Sequence, residues 1–580
     1  MMTEIQLKKD ELSPGRILLE ETFHVLTKKN SVFRVRLTRN GLSLIKETDN
    51  QIKETLISTR DIIGCRCLRS KKETSTCSCQ SLPRATMNAV EENSGEQDDS
   101  DVSAYLYIYA YIMQSNKGVP MKRERTIITL RFRSFDKYED NNKEAQRWRM
   151  VIKELIKGDQ VDNIPSGLNH NEQKKLLVLC NPKSGPGRGR AIFQQKIVPI
   201  LQEAEIAYDL HMTKYANYAR EFVRTCNISQ WSGIVVVGGD GIIFEAINGM
   251  FERPDWSEVI KNVPIGVIPG GSGNGLARSI AHVAGEPYLC NTTLPSALSL
   301  VRNNFEPMDI VRVETKSQIV FSFLSVGWGF LSDIDIESER LRMLGGQRFT
   351  IWSLARLIGL RNYRGKVWYI PANDTPVHKA KENKKGDNIE IPAEINLETQ
   401  SARQRLDSWY SAASKRSAYY SITANSSYQS TADSGPQEES GSRMYGPASK
   451  LPCLTAEVPS TWKCIDGRFI MVHASYPSHL SEDVLFVPNA KLDDGIIWLN
   501  VIKADTSRAQ LLQFLLGLSN GTHINPETQD SGSILMLPVR AFRIEPDMSE
   551  SGYITVDGEH VEYGPIQGEL FPGLVRVMVP

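Results

Sequence analysis

Charge of one sign is missing. The 580 residues hold 68 Lys and Arg against 68 Asp and Glu, so no global field draws the chain to nucleic acid. Long apolar runs are missing too. The longest candidate, Ile319–Leu331, falls short of the roughly 18 residues that cross a bilayer and is broken by Ser322, Ser325, Gly327 and Gly329. The first residues, MMTEIQLKKDELS, are charged and contain no apolar signal core. These absences predict a cytoplasmic protein that meets membranes only peripherally. Cysteine is sparse, nine in the whole chain, which excludes a disulfide scaffold. Four fall as Cys65-x-Cys67 and Cys77-x-Cys79. Zinc sites favour two intervening residues, so these read as reduced loop thiols, with a metal site as the alternative. The generic nucleotide fingerprints are also absent: no G-x-x-x-x-G-K-[ST], no G-x-G-x-x-G and no protein-kinase motif set.

What is present is enough apolar residue, 41%, for real cores. The length predicts about three domains plus linkers. Residues 1–160 alternate as strands over Ile17–Leu26, Val32–Leu44, Tyr105–Ile112 and Thr126–Phe132. A polar, acidic stretch over 68–102 reads as a flexible insertion. Asn142–Ile156 is an amphipathic helix with Trp148, Ile152 and Leu155 on one face. Strands closed by one Trp-bearing helix resemble a pleckstrin-homology domain; a generic β-barrel cap is the alternative. Lys122, Arg123 and Arg125 form a basic cluster of the kind that is usually solvated surface.

Residues 171–310 have another character. Apolar strands at Leu176–Cys180, Tyr208–Met212, Ile234–Val237 and Val263–Ile268 alternate with helices, which predicts a parallel α/β sheet. Three polar, glycine-bearing turns fall at its strand C-termini, where such sheets bind ligands: Asn181–Arg190, Gly238–Gly241 and Pro269–Gly275. A strand-to-helix turn of glycines lets a phosphate approach the backbone. Asp240 in GGDG would repel that phosphate, so it suits a Mg²⁺ ligand or a base for an attacking hydroxyl, or else a helix cap. Lys183, Arg188 and Arg190 lie close to the first turn.

Residues 311–580 return to strands, among them Phe469–Ala474, Ile496–Ile502, Ile534–Ile544, Tyr553–Val556 and Val575–Val579. Asp494-Gly495 and Asp557-Gly558 suit tight hairpin turns. The pattern predicts a β-sandwich that returns the chain to the α/β domain. It is interrupted over 371–457 by a Ser-rich segment read as disordered. The fold class is therefore α/β plus all-β.

Read together, GGDG with Glu245 and Asn248, and PGGSGNGLA, resemble the diacylglycerol-kinase catalytic domain. Trp328-Gly-Phe330, Asp333-Ile-Asp-Ile-Glu-Ser-Glu339, Leu344-Gly345 and Arg348-Phe-Thr350 narrow the likeness to the sphingosine kinases. The resemblance spans about 176–369 and 462–580. It implies an active site in the cleft between nucleotide domain and sandwich, and transfer of the ATP γ-phosphate to the primary hydroxyl of sphingosine or sphinganine. By the same resemblance Asp240 is the general base, and Gly238, Gly239, Gly241, Ile242 and Ile243 lie along the reacting headgroup. Nucleotide contacts are implied for Asn181, Pro182, Lys183, Thr213, Lys214, Tyr215, Ala216, Asn217, Glu245, Gly271, Ser272, Gly273, Arg342, Arg348, Asp557 and Gly558. The run Thr213–Asn217, TKYAN, is less basic than the family's pattern at this turn. Mg²⁺ would enter with ATP, with Asp240 and Asp557 as its candidate carboxylates. Asp335 would pair with the substrate ammonium, which ceramide and diacylglycerol lack; a helix cap is the alternative. Phe349–Leu360 and Leu511–Leu518 would rim a lipid entrance. A ceramide or diacylglycerol kinase is the near alternative, and a non-catalytic lipid-binding scaffold the distant one.

Overall fold

The computed structural model describes residues 16–28, 31–48, 51–72, 89–91, 96–114, 120–157, 175–185, 187–302, 304–338, 347–372, 444–524 and 532–580. In the N-terminal part, Ile17–Val25, Ser31–Thr38, Gly41–Thr48 and Gln51–Ser58 form an antiparallel meander. A second meander runs through Ile62–Ser70, Ala104–Gln114 and Lys122–Phe132, and Ile17–Val25 joins the two. The helix Tyr138–Lys157 closes one end. Its Trp148 is buried edge-on against Phe23 and Phe132. Such crossed aromatic rings gain more than their buried area alone provides.

Four expectations change here. Val32–Leu44 is not one strand but a hairpin turning at Arg39-Asn40, because apolar alternation continues across the turn. The insertion is narrower than 68–102. Leu68 to Ser70 complete a strand, and Ala89–Val90 pairs with Arg69 and Ser70. Asp101 fixes the far end, accepting from Tyr105 Oη (2.6 Å), Ser70 Oγ (2.9 Å) and Ser103 N (3.0 Å). Cys65 and Cys67 lie in a strand, not a loop. Burial pushes the Cys65 thiol up to about 12, which makes it inert core. Cys77 and Cys79 lie outside the described residues. The basic cluster is not simply solvated either. Arg123 donates to Glu286 (2.6 and 2.7 Å) and Asp61 (2.7 Å), and Arg125 to Glu203 (3.0 Å), tying this part to the next.

The second part is a parallel sheet in the order Tyr208–Met212, Lys175–Cys180, Trp231–Gly238, Ile265–Pro269. Its three inner strands, Lys175–Cys180, Trp231–Gly238 and Ile265–Pro269, are apolar on both faces because both are covered, whereas the edge strand Tyr208–Met212 is half-exposed. Leu177, Leu179, Ile234 and Val236 face one core; Val178, Cys180, Val235 and Val237 face the other. The final strand, Ile566–Val579, then lies parallel to Ile265–Pro269 at Ile265 and Val577. It runs antiparallel to Asn304–Glu314 and Ile534–Pro546. The end of the chain thus joins the nucleotide sheet to the sandwich strands.

The segment 371–457 is also partly ordered. Residues 373–443 lie outside the described residues, but Met444 and Leu454 are buried. Arg543, 1% exposed, donates to the carbonyls of Ala456 (2.8 Å) and Cys453 (3.0 Å). A buried guanidinium must find acceptors, and this segment supplies them.

Candidate active site

Asp240 opens the helix Asp240–Phe251 and is fully buried. It does not cap its own helix: Gly239 holds that position without a side-chain bond. Its carboxylate accepts from Gly275 N (3.0 Å) and Leu276 N (3.2 Å), at the start of the neighbouring helix Gly275–Val283. The unpaired N–H groups and dipole of that helix end favour an anion.

The three glycine turns pack directly on one another around this carboxylate. Gly270 N donates to Gly238 O (2.9 Å), Asn181 N to Val237 O (3.0 Å), and Gly239 N to Ser184 Oγ (3.2 Å). A methyl group on Gly271 would sit 2.3 Å from the Gly239 Cα, so only glycine permits the approach. Asn274 holds the third turn with φ 55°. Its amide accepts from Gly271 N (3.0 Å) and donates to Glu482 Oε1 (2.7 Å). Ser184, Asn274 and Glu482 were not singled out from the sequence. Asn274 carried a cue, since Asn tolerates left-handed backbone; Ser184 and Glu482 are recruited only by the tertiary fold.

The sandwich closes in from the other side. Asp557 and Gly558 both have positive φ, 52° and 82°, at a tight hairpin. The buried Asp557 carboxylate accepts from Ser322 Oγ (2.6 Å), Leu324 N (2.9 Å), Ser325 N (2.9 Å) and Phe323 N (3.1 Å). It therefore holds the turn that starts the strand Ser325–Gly329. Leu324 of that turn packs against Gly275, and Glu559 Oε1 lies 2.8 Å from where a Gly241 Cβ would be. Nucleotide domain and sandwich thus meet around Asp240.

The remaining expected residues divide. Glu245 accepts from Asn217 N and Ala219 N, both 3.0 Å, and so fixes the TKYAN turn at the start of the helix Tyr218–Thr225. Burial pushes its carboxyl up to about 7 against those bonds. Thr213 is buried, Ala216 and Asn217 are half-buried, and Lys214 and Tyr215 are exposed. Asn181 Oδ1 accepts from Lys183 N (3.0 Å), leaving Pro182 half-buried and the Lys183 side chain exposed. Gly271 and Ser272 are half-buried and Gly273 buried. The side chains of Ile242 and Ile243 belong to the core, so only their backbone can face a headgroup. Asp335 is half-buried on the helix Phe330–Ser338. Asp333, about 200° round the same helix, is buried and bonded by Tyr363 Oη; burial pushes it up to about 6. Arg342 lies outside the described residues. Arg348 lies in the helix Gln347–Ile358, where its side chain is not described.

Among the described residues no group of three or more His, Cys, Asp and Glu could hold a metal, and no helix is long and apolar enough to cross a membrane. Asp240 and Asp557, the carboxylates expected near Mg²⁺, both accept protein hydrogen bonds.

Residues 175–313 match the diacylglycerol kinase catalytic domain, and residues 465–579 the YegS C-terminal NAD kinase beta sandwich-like domain. Sphingosine kinase 2 of Homo sapiens is 32% identical over 571 residues, 85% of each chain. Sphingosine kinase 1 of Homo sapiens is 33% identical over 402 residues, 69% of this chain and 89% of the relative. Among solved structures, a diacylglycerol kinase from Bacillus anthracis str. Sterne aligns at 15% identity and a TM-score of 0.41, covering 70% of this chain and 97% of that one.

Proposed function

The chain belongs to the sphingosine kinase family, and on that premise we propose how its own residues carry the reaction. It is an ATP-dependent lipid kinase that moves the γ-phosphate onto the primary hydroxyl of sphingosine or sphinganine. The observation that carries the assignment is the buried Asp240 carboxylate, aimed by two backbone N–H groups where the glycine turns meet the sandwich. Those two bonds orient the carboxylate. Asp240 takes the hydroxyl proton. A carboxylate is too weak a base to ionise an alcohol beforehand, so the proton moves as the new O–P bond forms. The bond from the γ-phosphorus to the bridging oxygen breaks, and ADP leaves.

The turns at 181–183, 213–217 and 271–273 line the nucleotide, and Arg342 and Arg348 reach its phosphates, where a planar guanidinium suits two oxygens. Asp240 and Asp557 are the carboxylates nearest where Mg²⁺ would enter with the nucleotide, and the ion would supply charge neutralisation for the transfer. Glu245 and Asp557 act as positioning residues for the TKYAN and 322–325 turns. Asp335 pairs with the substrate ammonium; its half-buried place, opposite the anchored Asp333, supports that role. The N-terminal part is a pleckstrin-homology-like domain, a reading supported by its meanders and closing helix. The protein works in the cytoplasm and collects substrate at membrane surfaces.

Phosphate transfer from labelled ATP tests this reading with sphingosine, ceramide and diacylglycerol side by side. Sphingosine is the expected acceptor. Asp240→Asn should fold and lose at least about 100-fold in turnover. Asp335→Asn should raise KM for sphingosine far more than for ATP. Near wild-type turnover in Asp240→Asn, or equal use of ceramide, overturns it.

A further inference from the structure

One layer of the sandwich contains two buried polar side chains with no hydrogen-bond partner among the described residues. The strands carry a row in register: Thr555 opposite Gly327, Gly327 opposite His473, His473 opposite Asn500, and Asn500 opposite Met536. Directly paired residues point to the same face. That face packs against Phe330 and Ile334 of the Asp335 helix, against Phe486, and against Leu511, Phe514 and Leu515 of the helix Arg508–Gly517. The same face also carries the buried pair Ser325 and Ser475 one row along, and His523 packs beside it on Phe486 and Phe514.

His473 is 6% exposed and Asn500 fully buried. Among the described residues, His473 Nδ1 and Nε2 and Asn500 Nδ2 and Oδ1 all lack a hydrogen-bond partner. Buried polar atoms are almost always paired, so such a concentration is destabilising unless something arrives to meet it. Thr555 and Ser332, at the near end of the row, satisfy each other at 2.9 Å. Gly327, between them and His473, lets these polar atoms crowd close to the strand: a methyl there would lie 2.9 Å from His473 Nδ1 and 2.8 Å from Ser332 Oγ. The strand Ser325–Gly329 runs directly into the helix bearing Asp335, so the row adjoins the headgroup end of the site.

The chemistry of the pair selects its partner. Burial alone pushes the His473 ring down to about 4, so it is neutral at neutral pH and presents one donor and one acceptor. The Asn500 amide also presents both. An ion of either sign would leave half of these groups unmatched, whereas a hydroxyl both donates and accepts. We propose that His473 and Asn500 receive a hydroxyl carried on the alkyl chain of the long-chain base, making this enzyme selective for 4-hydroxylated bases over plain saturated ones. The inference rests on the sphingosine-kinase reading above.

The test compares 4-hydroxysphinganine with sphinganine as acceptors for the full chain in identical micelles. Wild type should favour the hydroxylated base by roughly ten-fold or more in kcat/KM, because a site built to bond a hydroxyl rejects the analogue without it. His473→Leu and Asn500→Leu should each bring the ratio towards one, with KM for ATP little moved. Asn500→Ser, which keeps a donor and an acceptor, should retain part of it. A wild-type ratio near one, as expected if the pair merely holds water, overturns the proposal, as does a ratio that survives both leucine variants. Should the variants misfold, the wild-type ratio decides alone. Equal use of both bases sinks this inference only; use of ceramide and neither base sinks the sphingosine-kinase reading with it.

Discussion

At the scale of single residues, carboxylates in this protein work by gripping backbone N–H groups. Asp240 grips the start of one helix, Glu245 the start of another, and Asp557 a turn 232 residues away in sequence at Ser325. Glu245 gives the clearest pH consequence. Burial lifts its pKa from 4.5 to about 7, despite the bonds from Asn217 and Ala219. A folded-state pKa above the unfolded one means that the folded protein holds the proton more tightly. That contribution is complete below about 4.5 and is lost as the pH rises through about 7. At about 1.36 kcal/mol per unit, wild type should lose up to about 3 kcal/mol of stability between pH 5 and 8 relative to Glu245→Gln. Urea unfolding of both proteins at the two pH values checks this; parallel curves would show that Glu245 ionises normally. Asp240 was legible in the sequence because strand, glycine turn and helix are all local to it. The grip of Asp557 on the 322–325 turn was not, because a hairpin signature does not name the distant turn it seizes.

At the scale of elements, the regular strands and helices of the nucleotide domain could be read from apolar runs and glycine breaks. What escaped were strands whose polarity mimics loops, such as Gln51–Ser58, and the packed tail of the Ser-rich segment, ordered by a buried Arg543 rather than by periodicity. The segments expected to rim a lipid entrance, Phe349–Leu360 and Leu511–Leu518, fall largely in two helices, and apolar content alone could not say which side of each faces out. In Gln347–Ile358 and Arg508–Gly517 the outward face carries Leu354, Ile358, Leu512 and Leu516, exposed at 57%, 69%, 41% and 47%. The helices are locked together: Arg508 Nε donates to Leu357 O (3.1 Å), bonding a carbonyl at the end of the first helix. Glu337 ties that helix back to the Asp335 helix, accepting from Trp352 Nε1 (2.9 Å) and Arg356 Nε (2.7 Å). An exposed apolar face beside the proposed headgroup site suits contact with a lipid surface. Leu354→Asp combined with Leu516→Asp should cut turnover of vesicle-borne sphingosine about ten-fold or more. Sphingosine in detergent micelles should be affected much less. An equal loss in both assays would assign these leucines to folding instead.

At the scale of the whole molecule, the N-terminal domain is not a bead on a string. Ile63, Tyr109 and Tyr111 share one apolar core with Leu176, Phe193 and Ile197 of the nucleotide domain. Charged groups frame that core: Arg149 meets Glu205 at 2.7 Å, and Arg123 bridges Asp61 and Glu286. The Arg123 and Glu286 side chains are only 7% and 5% exposed, so their pairing is dry and unscreened. In the sequence these arginines looked like surface, since nothing local to Lys122–Arg125 reveals acceptors at Glu203 and Glu286. The shared core predicts that both domains unfold in one calorimetric transition. Arg123→Ala would take the bonded partner from the half-buried Asp61 and leave the buried Glu286 with Arg302 alone at 3.6 Å, so the cost should fall at or below the ~3–5 kcal/mol typical of breaking a buried pair. It should lower Tm and split the N-terminal domain off as an earlier transition. Arg123→Lys should recover only part of the loss, because an ammonium lacks the fork that bonds Glu286 twice and Asp61 once. Two transitions in the wild-type scan, or an Arg123→Ala scan that matches it, would show that the domains are merely tethered.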